Sequence, residues 1–452
     1  MKAINPATEE LISEFPDHDA AEVERRLQQA RATFPSWRDF AFAERAGLLK
    51  QAAALLRENR DRFARLMTAE MGKPLTGSES EVDKCAWVCD YYADHAAGFL
   101  ADQPVVTDAT ESFIRYEPLG PVLAVMPWNF PFWQVFRFLA PGLMAGNVGL
   151  LKHASNVPGT ALAIEALFHE AGFPEGVMTT LLVPSSRTAE IVRHPAVCAV
   201  TLTGSDKAGR EVAAEAGRCL KKTVLELGGS DPFIVLADAD PPEAARQAAK
   251  ARTINSGQSC IAAKRFIVEE AIADRFEEEF VRRMEELKVG DPLDRATEVG
   301  PMAREDLLGD LDDQVRRTVE AGARLRTGGQ RLPGKGWYYA PTVLSGVEPG
   351  MAAFDEETFG PVAAVVRARD AAQAIELANR SVFGLGASLW TGDPARGRDL
   401  AADIEAGSVF INGAVKSDPR LPFGGIKTSG YGRELSEVGI REFVNIKTVW
   451  IR

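Results

Sequence analysis

The sequence predicts an α/β protein with two successive parallel-sheet units, and three observations carry that prediction. From Gly120 onward, short β-branched runs alternate with helix-length amphipathic stretches, which is the sequence form of βαβ units. A second series of the same kind begins after Leu225-Glu226-Leu227-Gly228-Gly229. The chain of 452 residues also exceeds what one hydrophobic core usually serves, so two or three domains are expected.

The first hundred residues read as helices. Asp19 is a candidate N-cap, after which Ala20, Val23, Leu27, Ala30 and Phe34 recur at steps of three and four. A second helical stretch spans 43–71 and stops at Gly72-Lys73-Pro74, and a third covers 78–99. Strands at 122–126, 148–152, 177–183 and 197–201, with helices at 158–171 and 205–217, then form a Rossmann-like unit. The second α/β unit has strands at 233–236, 265–268, 362–366 and 387–390, with helices at 243–255, 271–287 and 305–321.

Two segments stand apart. Residues 105–118 read as a hairpin turning around Asp108-Ala109, and Phe443 to Val449 alternate like a strand. Such edges would be covered by pairing across subunits, so a homodimer or homotetramer is expected. The implied partition is a cofactor-binding domain over 1–103 and 119–225, a catalytic domain over 226–434, and an oligomerisation arm over 104–118 and 435–452.

Composition narrows the function. A net charge of −12 and a pI near 5.2 argue against a nucleic-acid groove, which needs a concentrated positive field. No apolar run approaches the roughly 20 residues that span a bilayer, and the opening Met1-Lys2-Ala3-Ile4-Asn5-Pro6 lacks the layout of a signal peptide. A cytoplasmic protein without membrane partners is expected. The 5 cysteines are odd in number and unpaired by spacing, which speaks against a disulfide framework. Cys85 and Cys89 have no second Cys or His pair to complete a zinc site, and the histidines at 18, 95, 153, 169 and 194 do not cluster, so no metal is expected.

Cys260 is the candidate nucleophile. It lies in Asn255-Ser256-Gly257-Gln258-Ser259-Cys260, after a predicted helix and before Lys264 and Arg265. A thiol at a bend, near cations and backbone donors, is the setting in which cysteine becomes nucleophilic. Oxidation of an aldehyde by a thiol further needs oxyanion donors, a hydride acceptor and a base that activates water.

The sequence resembles the aldehyde dehydrogenase superfamily along essentially its full length. The matching motifs are Pro127-Trp128-Asn129-Phe130-Pro131, Lys152 with Ser155, Thr203-Gly204-Ser205, Glu226-Leu227-Gly228-Gly229, Gly257-Gln258-Ser259-Cys260, Glu357-Thr358-Phe359-Gly360-Pro361 and Pro422-Phe423-Gly424-Gly425, all in the family's order. The resemblance implies the aldehyde dehydrogenase-like fold, Cys260 as nucleophile, Glu226 as the base that activates the deacylating water, and Asn129 with the Cys260 N–H as the oxyanion hole. It also implies a nicotinamide cofactor, although no Gly-x-Gly-x-x-Gly occurs. Trp128, Thr203, Gly204, Leu227 and Phe359 would line that site, with Ser205 at a phosphate, Lys152 at the adenosine ribose and Glu357 at the nicotinamide ribose. Many NAD-preferring relatives carry a glutamate where this chain has Ser155; a serine can donate to a 2′-phosphate that a carboxylate would repel, so NADP is expected, with NAD also possible.

The segments Met126 to Arg137, Gly228 to Phe233 and Cys260 to Phe266 resemble the succinate-semialdehyde dehydrogenase branch. That implies an aldehyde carrying a distal carboxylate, in a pocket lined by Trp133, Arg137 and Ser417, with Arg137 facing the carboxylate. The alternatives are a broad-specificity aldehyde dehydrogenase in which Arg137 serves a structural salt bridge, and a non-catalytic cofactor-binding protein on the same fold. Glu226 argues against transfer of the acyl group to coenzyme A, and Ile261-Ala262-Ala263 leave no second cysteine beside the nucleophile.

Overall fold

The computed structural model describes residues 1–452. Two sheets organise the chain. The first has six strands in the order Gly430–Tyr431, Lys222–Glu226, Ala199–Thr203, Pro121–Met126, Val148–His153 and Met178–Thr180. All neighbours are parallel except Gly430–Tyr431, which runs antiparallel to Lys222–Glu226. The second has seven strands in the order Arg324–Thr327, Thr342–Ser345, Val362–Ala368, Arg265–Glu269, Pro232–Val235, Gly386–Trp390 and Ser408–Ile411, parallel apart from the first pair.

The α/β expectation thus holds, and its departures have local causes. The helix expected over 43–71 is two, Phe42–Glu58 and Arg60–Met71, broken at Asn59, whose amide bonds back to the Leu55 carbonyl at 3.0 Å. The strand expected over 177–183 shortens to Met178–Thr180, and that expected over 197–201 is shifted to Ala199–Thr203. Lys222–Glu226, Thr342–Ser345 and Ser408–Ile411 read too briefly in sequence to be recognised, because pairing rather than periodicity defines them. Asp19 caps Ala20–Arg38 as expected, accepting from the Glu22 N–H at 2.8 Å.

The terminal strand does not wait for a partner. Val444–Ile451 pairs antiparallel with Glu111–Pro118, which pairs in turn with Gln103–Pro104. Only its outer side stays open, with Ile446 and Trp450 exposed. The Gly430–Tyr431 strand also crosses the expected partition, since it belongs to the first sheet.

Because the first sheet is parallel, the carboxyl ends of its strands gather at one edge, the place where open α/β sheets bind ligands. Pro121–Met126 leads into Trp128 and Asn129, Ala199–Thr203 into Gly204 and Ser205, and Val148–His153 carries Lys152. Lys222–Glu226 ends on Glu226, from which the chain crosses to the second sheet at Pro232. Four distant motifs therefore meet at the crossover.

Candidate active site

The loop that carries Cys260 is held in a conformation few residues adopt freely. The helix Pro241–Thr253 buries Ala244, Ala245, Ala248 and Ala249 and then ends, after which Asn255, Ser256 and Gly257 take φ of 51°, 56° and 78°. Left-handed backbone costs about 1–2 kcal/mol for a residue with a Cβ, and the surroundings supply compensating bonds. The Asn255 amide donates to the Asn129 carbonyl at 2.7 Å, Ser256 Oγ accepts from the Gly300 N–H at 2.9 Å, and Gln258 bonds both the Pro301 carbonyl and the Ala303 N–H. At Gly257 a Cβ would stand 2.2 Å from the Gly360 carbonyl oxygen. Close approach to the Glu357 to Pro361 segment is thus the reason for glycine there.

Lys264 fixes the other side of the loop. Its buried ammonium donates to the carbonyls of Ser259, Cys260 and Ala262 at 3.0, 2.8 and 3.1 Å and lies 3.6 Å from the Glu357 carboxylate. Glu357 accepts from the Gly229 N–H at 2.9 Å. Arg265, expected as a second cation near the thiol, instead bonds the carbonyls of Ser230, Leu377 and Ala378.

Cys260 is half-buried where two cavities meet. One, of about 360 Å³, is lined by Trp133, Arg137, Ser417, Phe130, Lys84 and Phe423 among others. The other, of about 240 Å³, is lined by Trp128, Asn129, Thr203, Gly204, Ser205, Leu227, Gly228, Glu357 and Phe359. Cys260 lines both. Its backbone N–H makes no hydrogen bond within the chain. The Asn129 amide donates one N–H to the Gln258 carbonyl at 3.2 Å and keeps a second, so both expected oxyanion donors have capacity left.

The cations expected to favour a thiolate at Cys260 do not prevail. Burial pushes Cys260 up to about 12, and the opposing pull of Arg137 and Lys264 does not overcome it. Glu226 is likewise held well above the ordinary carboxylate range, first by burial, with Arg137 opposing and Glu434 reinforcing. Its carboxylate has no hydrogen-bond partner and lines neither cavity. A Cβ on Gly424 would stand 2.6 Å from Glu226 Oε1, so the Phe423-Gly424-Gly425 turn leaves room for this side chain.

On the smaller cavity, Trp128 and Phe359 meet edge to face at 5.8 Å, and Ser205 caps Asp206–Arg218 with its hydroxyl on the Ala208 N–H. The Thr203 hydroxyl accepts from Arg137 at 3.3 Å, while Leu227 is set by its N–H on the Ser429 carbonyl. Lys152 is buried without a hydrogen bond or carboxylate of its own, and burial lowers its ammonium. A buried cation without an anion fits a hydroxyl-rich or phosphorylated ligand, so the residues fit a nicotinamide dinucleotide. Ser155 is exposed and lines a separate cleft with Asn156 and Arg304.

On the larger cavity, Glu81 sits at the start of the helix Trp133–Met144, accepting from the Phe132 and Trp133 N–H groups at 2.9 Å each, and pairs with Lys73. That helix presents Trp133 and Arg137 to the cavity. Arg137 makes the structural salt bridge of the alternative reading: it is ion-paired with buried Glu434 and lies 4.7 Å from the Phe423 ring, while still lining the cavity. Sequence reasoning missed Glu434 and Lys84. Lys84 stands on a helix that reads as structural, and no motif marks it; Glu434 follows the Phe423-Gly424-Gly425 motif in the next turn of chain.

A thiol near 12 sets a pH slope. In the cofactor-free protein, alkylation of Cys260 by iodoacetamide, followed on its own peptide by mass spectrometry, should quicken about tenfold per pH unit from pH 7 to 10 as the thiolate fraction grows. A plateau below pH 9 would show that Arg137 and Lys264 outweigh burial.

The chain matches the model of the aldehyde dehydrogenase family over residues 1–449. A protein of Synechocystis sp. named "Probable succinate-semialdehyde dehydrogenase (NADP(+))" is 54% identical over 451 residues, covering 100% of this chain and 99% of that one. A succinate-semialdehyde dehydrogenase (NADP(+)) of Mycobacterium avium is 53% identical over 455 residues, covering 100% and 96%. Among solved structures, succinic semialdehyde dehydrogenase from Streptococcus pyogenes in complex with NADP+ superposes with a TM-score of 0.97 at 39% identity, covering 100% of this chain and 99% of that one. Sequence and fold agree over the whole length, and the chain belongs to the aldehyde dehydrogenase family.

Proposed function

We propose that the protein oxidises succinate semialdehyde to succinate with NADP+, through a covalent intermediate on Cys260. The observation that carries the reading is Cys260 at the junction of two cavities, one suited to a small aldehyde and one lined by the residues that fit a nicotinamide. The named substrate and cofactor of relatives at 53–54% identity support the choice.

Cys260 Sγ bonds to the aldehyde carbon, and its proton leaves to solvent or a nearby base. The resulting thiohemiacetal oxyanion is met by the Cys260 N–H and the second Asn129 N–H, neutral donors that stabilise charge without competing for the proton. A nicotinamide bound in the smaller cavity supplies the hydride acceptor. Cys260 then carries the acyl group as a thioester, whose hydrolysis returns the thiol and releases the acid. Glu226 takes the proton of the attacking water, which requires its side chain to turn out of the pocket it shares with Arg137 and Glu434. A carboxylate raised by burial is suited to accept a proton near neutral pH. Trp133, Arg137 and Ser417 form the walls against the substrate's distal end. Lys152 and Ser155 serve the adenosine end, Ser205 a phosphate and Glu357 the nicotinamide ribose.

The partnering of Arg137 by Glu434 favours a second reading, a broad-specificity aldehyde dehydrogenase. Absorbance at 340 nm separates the two: NADPH formation from succinate semialdehyde should exceed that from acetaldehyde and vanish in Cys260→Ala, whereas equal or faster acetaldehyde turnover would favour broad specificity. Asn129→Ala should lower turnover about 100- to 1,000-fold by removing one oxyanion donor; an unchanged rate would remove Asn129 from the site.

Ser155→Glu places a carboxylate where the 2′-phosphate is proposed to bind. The ratio of kcat/KM for NADP+ over NAD+ should fall at least about tenfold, a modest demand on like-charge repulsion. A ratio that does not move would assign the 2′-phosphate elsewhere.

The open side of Val444–Ile451 is proposed to be covered by a second copy of the chain, since an eight-residue edge carrying exposed Ile446 and Trp450 offers unpaired backbone and apolar surface together. Ile446→Asp with Trp450→Asp should lower the mass measured by light scattering to that of one chain; an unchanged mass would place any assembly on another face.

A further inference from the structure

The larger cavity is lined by four cations, and their partners differ. Lys73 is paired with Glu81 and Arg137 with Glu434, while Lys416 is exposed at the rim. Lys84, from the helix Leu75–Phe99, faces the same space, with no carboxylate within ion-pair distance. Its single hydrogen bond goes to Ser417 Oγ at 2.7 Å, and its ammonium lies 4.2 Å from the centre of the Trp133 ring. The nearest acidic groups are committed elsewhere: Glu81 to Lys73 and the helix start, Asp418 to Arg420 at 2.9 and 2.7 Å.

An ammonium has three N–H donors, and Lys84 uses one. Ser417 accepts that bond through its oxygen, which leaves its own O–H to donate. Together they present charge-assisted donors side by side in a largely dry wall, the arrangement a carboxylate requires. Burial and the neighbouring Arg137 hold the Lys84 ammonium down at about 8, the mark of a cation short of an anion. Arg137 presents no such deficit, because Glu434 already balances it.

We propose that Lys84, held beside Ser417, is a further cation for the distal carboxylate of the substrate and adds to the preference for aldehydes ending in a carboxylate. This rests on the reading of the substrate as a semialdehyde. Arg137 lines the same cavity with its charge already balanced by Glu434.

The test compares kcat/KM for succinate semialdehyde with that for butanal, an uncharged aldehyde of equal carbon number, using NADP+ and the full chain. If the unaltered protein does not favour the semialdehyde, the substrate reading fails before Lys84 is touched. If it does, Lys84→Met should lower the selectivity ratio about 10- to 100-fold, the worth of a hydrogen bond to a charged group. The loss should fall in KM, and the inhibition constant of succinate should rise alongside it. Lys84→Arg should recover most of the ratio, which a packing defect would not. A ratio unchanged in Lys84→Met, or one that collapses in Arg137→Leu while Lys84→Met keeps it, overturns the assignment. Should Lys84→Met fail to fold, Lys84→Gln gives the same reading with a polar stem.

Discussion

Lys264 is a wholly buried cation bonded to three carbonyls around Cys260, those of Ser259, Cys260 and Ala262. Without those bonds the Cys260 and Ala262 carbonyls would have no donor from the chain, the Ser259 carbonyl only the Ala262 N–H, and the ammonium would be a buried charge without a hydrogen-bond partner. Satisfying both at once fixes the loop from Ser259 to Ala262. The same ammonium faces Glu357, which holds Gly229 by its N–H, so the crossover between the two sheets is tied to the nucleophile's own loop. The cavities on either side of Cys260 keep their shapes because of this knot.

A second buried cluster lies on the other side of the site. Glu226 and Glu434 flank Arg137, giving two carboxylates and one guanidinium. Burial raises both carboxylates, Glu434 adds to the rise at Glu226, and Arg137 opposes it at each. A group in that position takes up a proton at higher pH than an exposed glutamate does, the property that the base proposed at Glu226 requires. Glu434 lines neither cavity and meets the site through Arg137.

Glycines at the contacts let short motifs, far apart in the chain, pack against one another. Gly257 lies against the Gly360 backbone, where a Cβ has no room, while a Cβ on Gly228 or Gly424 would displace the carboxylate of Glu357 or Glu226. The motifs are two halves of the same contact, not independent ligands.

Read by itself, the sequence determined the alternation of strands and helices, the cap at Asp19, the stop at Gly72 and the nucleophile's turn, because propensity, apolar period and glycine placement are local properties. It also carried the family's motifs. Only the tertiary structure decided the state of the Cys260 thiol, which depends on how much water the surrounding chain excludes. It likewise decided that Arg137 would spend its charge on Glu434, nearly three hundred positions away, and that Lys84 would keep its own. Charge balance is set by which side chains end up within a few ångströms of one another, and sequence distance does not encode that.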